Sequence, residues 1–279
     1  MAMGDFPKGR RVVLGANGFI GQHLMAACPT FVGLTRQDVD LSEETAGNRL
    51  AGLLRDGDSL FFLSAITPDK GRDAESFFKN CRMAFALASV IERVDLARLI
   101  YVSSDAVFSE NLPPVTEETP ACPNTLYGTM HLAREQICES AAARHGTPFL
   151  IVRPCALYGP GDTHQSYGPN RFLDSARREK VIRLFGEGED LRPHLHIRDF
   201  ISILVGLDEK KAEGVFHAIP SASVTFREIA DLICRRIPEV KIEKLPSASR
   251  PTAKRYCADK ILSFLPRIKF TDLAPGLFL

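Results

Sequence analysis

The apolar positions fall into short, nearly unbroken runs separated by longer stretches of helical spacing. Residues 11–14 (RVVL), 30–35 (TFVGLT), 59–64 (SLFFLS), 99–103 (LIYVS) and 149–152 read as strands. Residues 18–27, 43–55, 75–94 and 125–143 read as the helices between them. Within 75–94, Phe77, Phe78, Cys81, Ala84, Phe85 and Ala88 recur at helical spacing. Strands that are apolar at nearly every position are buried on both faces. The alternation therefore predicts an α/β fold with a doubly wound parallel sheet and ligands at the carboxyl ends of its strands. After Arg153-Pro154 the pattern loosens into the Gly- and Pro-rich stretch 158–169, and shorter elements follow. Residues 1–153 read as one unit. Residues 154–279 read as a smaller substrate-binding lobe closing over it, with some segments returning to the sheet.

Composition narrows the function classes. The 279 residues are 45% hydrophobic, enough for a well-filled core in one large α/β domain or two modest lobes. Net charge is +1 from 35 basic and 34 acidic residues, too balanced to hold a nucleic-acid backbone or an anionic membrane. The apolar runs SLFFLSAI (59–66) and FISILVGL (200–207) fall far short of the roughly 20 residues of a membrane helix. MAMGDFPKGR holds no apolar stretch, so no signal peptide is expected. Seven scattered cysteines without a C-x-x-C pair predict reduced thiols and a cytoplasmic location.

The first strand runs into Gly15-Ala16-Asn17-Gly18-Phe19-Ile20-Gly21, a G-x-x-G-x-x-G loop at a strand-to-helix turn. Gly15 permits the tight turn, Gly18 lets a pyrophosphate approach the backbone, and Gly21 lets the helix pack on the strand. The helix N-terminus adds N–H donors and a favourable dipole. This context makes residues 1–153 a dinucleotide-binding domain. An acidic residue closing the second strand would hold the adenosine ribose and favour NAD. Thr35 and Arg36 stand there instead, so no carboxylate is expected to repel a 2′-phosphate, and Arg36 is placed to pair with it. The expected cofactor is NADP, with NAD as the alternative.

Seven segments in order resemble the extended short-chain dehydrogenase/reductases. The match is to the NAD-dependent epimerase/dehydratase family and its dTDP-4-dehydrorhamnose reductase-like branch. They are GANGFIG (15–21), LTRQDVDL (34–41), Asn80, YVSSDAVF (101–108), PACPNTLYG (120–128), RPCALYGPGD (153–162) and GEGEDLRPHLHIRD (186–199). The resemblance implies a Rossmann fold and hydride transfer at a carbinol or keto carbon of a nucleotide-linked sugar. It implies a Ser or Thr after the fourth strand and a Tyr followed four residues later by Lys.

Ser104 and Tyr127 match, with Ser103 the second choice of hydroxyl. A phenol near the nicotinamide serves as acid or base on the reacting oxygen, and the serine polarises that oxygen. In the family the lysine lowers the phenol pKa and bonds the nicotinamide ribose. Here His131 replaces it, on the same helix face. A cation ~5 Å away at an effective dielectric of ~20 is worth about 3 kcal/mol, or two pKa units. A histidine of pKa ~6.5 is only about 10–20% protonated near neutrality. His131 is thus an orienter or relay in a working enzyme, or the mark of a cofactor-binding regulatory or scaffolding protein with a degenerate site.

The implied cofactor contacts are Gly15, Asn17, Gly18, Phe19, Ile20, Gly21, Thr35, Arg36, Ser64, Tyr127 and His131. The implied substrate contacts are Asp105, Asn170, Arg171 and Arg192, the last facing a pyrophosphate. Arg177 and Arg178 read as a solvated helix face. Asp105 is followed by Ala106 where 4,6-dehydratases carry Glu, which disfavours water elimination and leaves epimerisation or reduction of a keto sugar. His164, His194 and His196 lack Cys or carboxylate partners at ligand spacing, so no metal is expected. The resemblance also implies a homodimer through helices 75–94 and 125–143.

Overall fold

The computed structural model describes residues 9–162, 164, 168–247 and 250–279. The N-terminal MAMGDFPK and Thr163, Gln165, Ser166 and Tyr167 of the Gly/Pro stretch lie outside the described residues. Six parallel strands form the central sheet: β1 (Arg11–Leu14), β2 (Val32–Leu34), β3 (Ser59–Phe62), β4 (Arg98–Val102), β5 (Phe149–Pro154) and β6 (Gly214–Ala218). Their order is β2-β1-β3-β4-β5-β6. Every residue of β1, β3 and β4 is buried, as strands covered on both faces must be.

The longer helices are α1 (Phe19–Ala27), α2 (Ala46–Leu53), α3 (Ala74–Ile91), α4 (Leu126–His145) and α6 (Ile197–Glu209) around the sheet, with α5 (Pro169–Glu179) and α7 (Phe226–Arg236) packed on each other beside it. Asp73 caps α3 by accepting from the Ser76 amide, and Thr125 caps α4 by accepting from Gly128. Helix α4 stops at Gly146, whose φ of 68° ends it in the left-handed region. No helix among the described residues is long and apolar enough to cross a membrane.

Beyond β5 the chain leaves the sheet, builds α5, α6 and several short strands, and returns as β6 in register against β5. A second core under α5 and α7 gathers Phe172, Leu173, Ala176, Ile182, Phe226 and Ile229. Below the sheet, the buried Asp208 at the end of α6 accepts from Arg11 Nε at 2.6 Å and lies 3.5 Å from Arg98 Nη1. This pins the amino ends of β1 and β4 to α6. The chain crosses from β2 to β3 over β1, so the switch point opens at the carboxyl ends of β1 and β3.

Candidate active site

The loop after β1 lies in that switch point. Gly15 has φ of 93°, and its amide and that of Ala16 donate to Leu34 O at 2.9 and 3.1 Å. A Cβ there would sit 3.0 Å from Ser64 Oγ, so a side chain would be strained and crowded. Gly18 is the N-cap of α1 and supplies no side-chain cap, which leaves the first-turn amides available to an anion. Asn17 is exposed, Phe19 is buried, and Gly21 sits in the first turn of α1.

A cleft of about 500 Å³ runs from this loop past Thr35, Arg36, Asp40 and Ser64 to Ser103, Tyr127 and His131. All the expected cofactor contacts line it. The adenosine end differs from expectation in its charges. Asp38 Oδ2 accepts from the Thr35 amide and hydroxyl, both at 2.8 Å. Asp40 Oδ2 holds Arg36 at 2.8 Å to Nε and 2.7 Å to Nη2. The expected absence of a carboxylate is thus corrected: the turn after β2 folds two of them back, and Arg36, 79% exposed, is already paired. Lys70 and Lys79 also line the cleft, two cations the sequence motifs did not mark.

At the other end, Gly128 lets the first turn of α4 press onto the turn Asp105–Val107 that follows Ser104. A Cβ at Gly128 would collide with the Ala106 carbonyl. That approach brings the end of β4 against Tyr127. Ser103 Oγ donates to Glu135 Oε1 at 2.5 Å, and Glu135 is clasped by Arg153 at 2.9 and 2.6 Å. Ser104 Oγ accepts from the Ala106 amide at 3.1 Å, which leaves its own proton to donate. Of the two serines, Ser104 is the one with a donor to spare.

The Tyr127 ring meets the His131 ring edge-on, centroids 4.7 Å apart. Burial holds the Tyr127 phenol above its ordinary pKa, partly opposed by the nearby Arg134. His131 is 2% exposed, and burial with the same arginine holds its pKa well below 6.5. It is therefore neutral. Its Nδ1 lies 2.7 Å from Tyr101 Oη. Tyr101 is buried and this is its one hydrogen bond among the described residues, so the phenol donates and Nδ1 accepts. The imidazole proton then sits on Nε2, which is buried without a partner. A donor left unsatisfied at the wall of a cleft fits a ligand hydroxyl.

The expected substrate residues are not gathered here. Asp105 pairs with Lys254 at 3.1 Å and accepts from Tyr256 Oη at 3.3 Å. Asn170 pins the 158–162 loop through Gly159 and Asp162 Oδ2. Arg171 is exposed on the outer side of α5, in a groove with Arg178 and Phe185, because Phe172, Leu173 and Ala176 face the core. Arg192 donates to Leu191 O, Thr252 O and Thr252 Oγ1. Each of these four side chains has either a structural partner or an outward position.

The model of the NAD dependent epimerase/dehydratase family matches residues 11–218. The chain belongs to that family. An uncharacterized UDP-glucose epimerase of Bacillus subtilis (strain 168) is 24% identical over 220 residues, 68% of this chain and 69% of that protein. UDP-glucuronic acid 4-epimerase from Bacillus cereus, in complex with UDP-glucuronic acid and NAD, superposes with a TM-score of 0.82. RMD from Pseudomonas aeruginosa, complexed with NADPH, also superposes at 0.82. Both structures are 20% identical and cover 96% of each chain, a likeness of fold. Within this epimerase/dehydratase fold, the buried Arg134 and the half-buried Lys254 were not marked by the sequence. An arginine or lysine in an amphipathic pattern reads as surface.

Proposed function

We propose that this chain is an NAD(P)-dependent oxidoreductase or epimerase acting at a carbinol or keto carbon of a nucleotide-linked sugar. The observation that carries the reading is the single cleft joining the glycine loop to Tyr127 and His131. The names of the similar proteins, which include sugar-nucleotide epimerases, support the substrate class.

The uncapped amides of α1 would hold the pyrophosphate, and His131 Nε2 would donate to the nicotinamide ribose. A bound nicotinamide would supply or accept the hydride, and the chain's own part is the proton. Tyr127, neutral near pH 7, is set to give its Oη proton to a carbonyl oxygen, while Ser104 donates a hydrogen bond to that same oxygen. A protonated phenol favours reduction of a keto sugar. Arg36 remains the proposed contact for a 2′-phosphate, in competition with Asp40. The chain is proposed to form a homodimer through α3 and α4, where Phe78 and Phe85 are 69% and 61% exposed. Sedimentation of Phe85→Glu as a monomer would support that contact.

A second reading, a cofactor-binding regulator without turnover, draws on the neutral His131 and the raised Tyr127 phenol. A mass-spectrometric assay in deuterated buffer separates the two. UDP-, dTDP-, GDP- and CDP-sugars and their 4-keto forms are offered with NADP(H) and NAD(H). Product or deuterium uptake that disappears in Tyr127→Phe supports the enzyme. No turnover together with tight cofactor binding supports the regulator.

A further inference from the structure

Arg134 is fully buried on α4. Its Nη1 donates to Asn80 Oδ1 at 3.0 Å and its Nη2 to Ser64 O at 2.6 Å. The guanidinium lies 4.5 Å from the Phe62 ring centroid and 5.2 Å from that of Tyr101. All of these partners are neutral, and Nε has none. The carboxylate next to it in sequence, Glu135, is taken by Arg153. Among the described residues no salt bridge reaches Arg134. A cation buried without counter-charge is costly, and it is well placed only where negative charge appears.

We propose that Arg134 is a positioning residue of the active site, the fixed positive charge that steadies Tyr127 when its phenol has given up its proton. The proposal rests on Tyr127 being the proton donor. Tyr127, His131 and Arg134 lie at i, i+4 and i+7, on one face of α4, and an arginine side chain leans back toward the helix N-terminus. Contacts run without a gap from the Tyr127 ring to His131, from His131 to Tyr101, and from Tyr101 to the guanidinium. The arginine's own acceptor, Ser64, borders Gly15 in the cleft wall.

The other charges that act on Tyr127 are Asp105 and Asp69, which both oppose its ionisation. Each has its own partner, Lys254 for Asp105 and His164 for Asp69. Arg134 favours the anionic form of Tyr127 and Tyr101 and the neutral form of His131. Burial, reinforced by this arginine, thus keeps His131 an uncharged donor, and the arginine supplies the charge that His131 lacks.

The test reads the phenol itself, in the full chain without cofactor or substrate. A fluorinated tyrosine, whose phenol ionises nearer neutrality, is placed at 127 and titrated by fluorine NMR. Seven helical residues span about 10 Å, and a cation that far away at an effective dielectric of about 20 shifts an ionisation constant roughly tenfold. Arg134→Met is expected to raise the midpoint by about one pH unit, and Arg134→Lys to bring most of it back. Asn80→Asp, which sets a carboxylate against the guanidinium, is expected to raise it too. An unmoved midpoint in folded Arg134→Met overturns the proposal. Should that variant fail to fold, an unmoved midpoint in Asn80→Asp overturns it. If the midpoint moves but no sugar nucleotide is turned over, the charge assignment stands and the proposed activity fails.

Discussion

Tyr101 Oη lies 2.7 Å from His131 Nδ1, and this contact decides which imidazole nitrogen carries the proton. Tyr101→Phe removes the donor and keeps the ring. His131 then loses its fixed tautomer and leaves a buried nitrogen unpaired, a loss of about 1–3 kcal/mol in orientation or stability. Cofactor affinity is expected to fall about tenfold with little change in fold, measured by titration calorimetry and near-ultraviolet circular dichroism. Unchanged affinity would mean that Nε2 makes no ligand contact.

The adenosine end predicts a pair of opposite effects. Arg36→Ala should lower the preference for NADPH over NADH by about tenfold, the worth of one exposed charge-assisted contact. Asp40→Asn releases Arg36 and should raise the same ratio. If both variants leave the ratio where it was, the 2′-phosphate contact does not exist.

The clasp of Glu135 with Arg153 and Ser103 belongs to the floor of the site. Glu135→Ala leaves a buried guanidinium and a hydroxyl without their acceptor, at a cost of about 3–5 kcal/mol. Urea unfolding at pH 7.5 measures it. A loss below about 1 kcal/mol would show that Arg153 finds another partner.

Acid should unfold the protein early. Burial holds His217 down to about 3 and His194 down to about 4, and His131 is also kept neutral. The unfolded chain takes up their protons near pH 6.5 while the folded chain does not. Their contribution is therefore complete above about pH 6.5 and falls away as the pH drops toward 4, by roughly 1.4 kcal/mol per pH unit for each histidine. Urea unfolding free energies from pH 7.5 to 5 should show this slope, and His217→Leu should flatten it by about one proton. The same slope in that variant would remove His217 from the account.

The strands and helices of the first half are visible in the sequence because buried strands and two-faced helices leave distinct apolar periods. Their ends are less so. The third strand stops at Phe62 rather than at residue 64, because Leu63 to Ile66 bend into the cleft wall. Asn80 explains part of that bend, since its side chain holds both the amide and the carbonyl of Ile66. The glycine loop could be read from its spacing, whereas Ser104, Tyr127 and His131 were singled out only by the resemblance to the family. The pairing of Arg36 with Asp40 was not legible, because it depends on a turn that folds the chain back by one helical step. The outward position of Arg171 was not legible either, because it depends on the phase with which α5 packs. Arg134 was hidden because a lone cation among Met130, Glu135 and Cys138 reads as solvated until the tertiary contacts are known.

The bond between Arg11 and Asp208 joins residues 197 positions apart. During synthesis the amino-terminal βαβ segment is complete long before the carboxylate that its first strand requires has been made. Strand β5 likewise waits for residues 214–218 to cover its outer edge. Ribosome-bound chains ending near residue 153 should therefore hold native-like helices over an unfinished sheet. The last quarter of the message becomes a checkpoint for maturation.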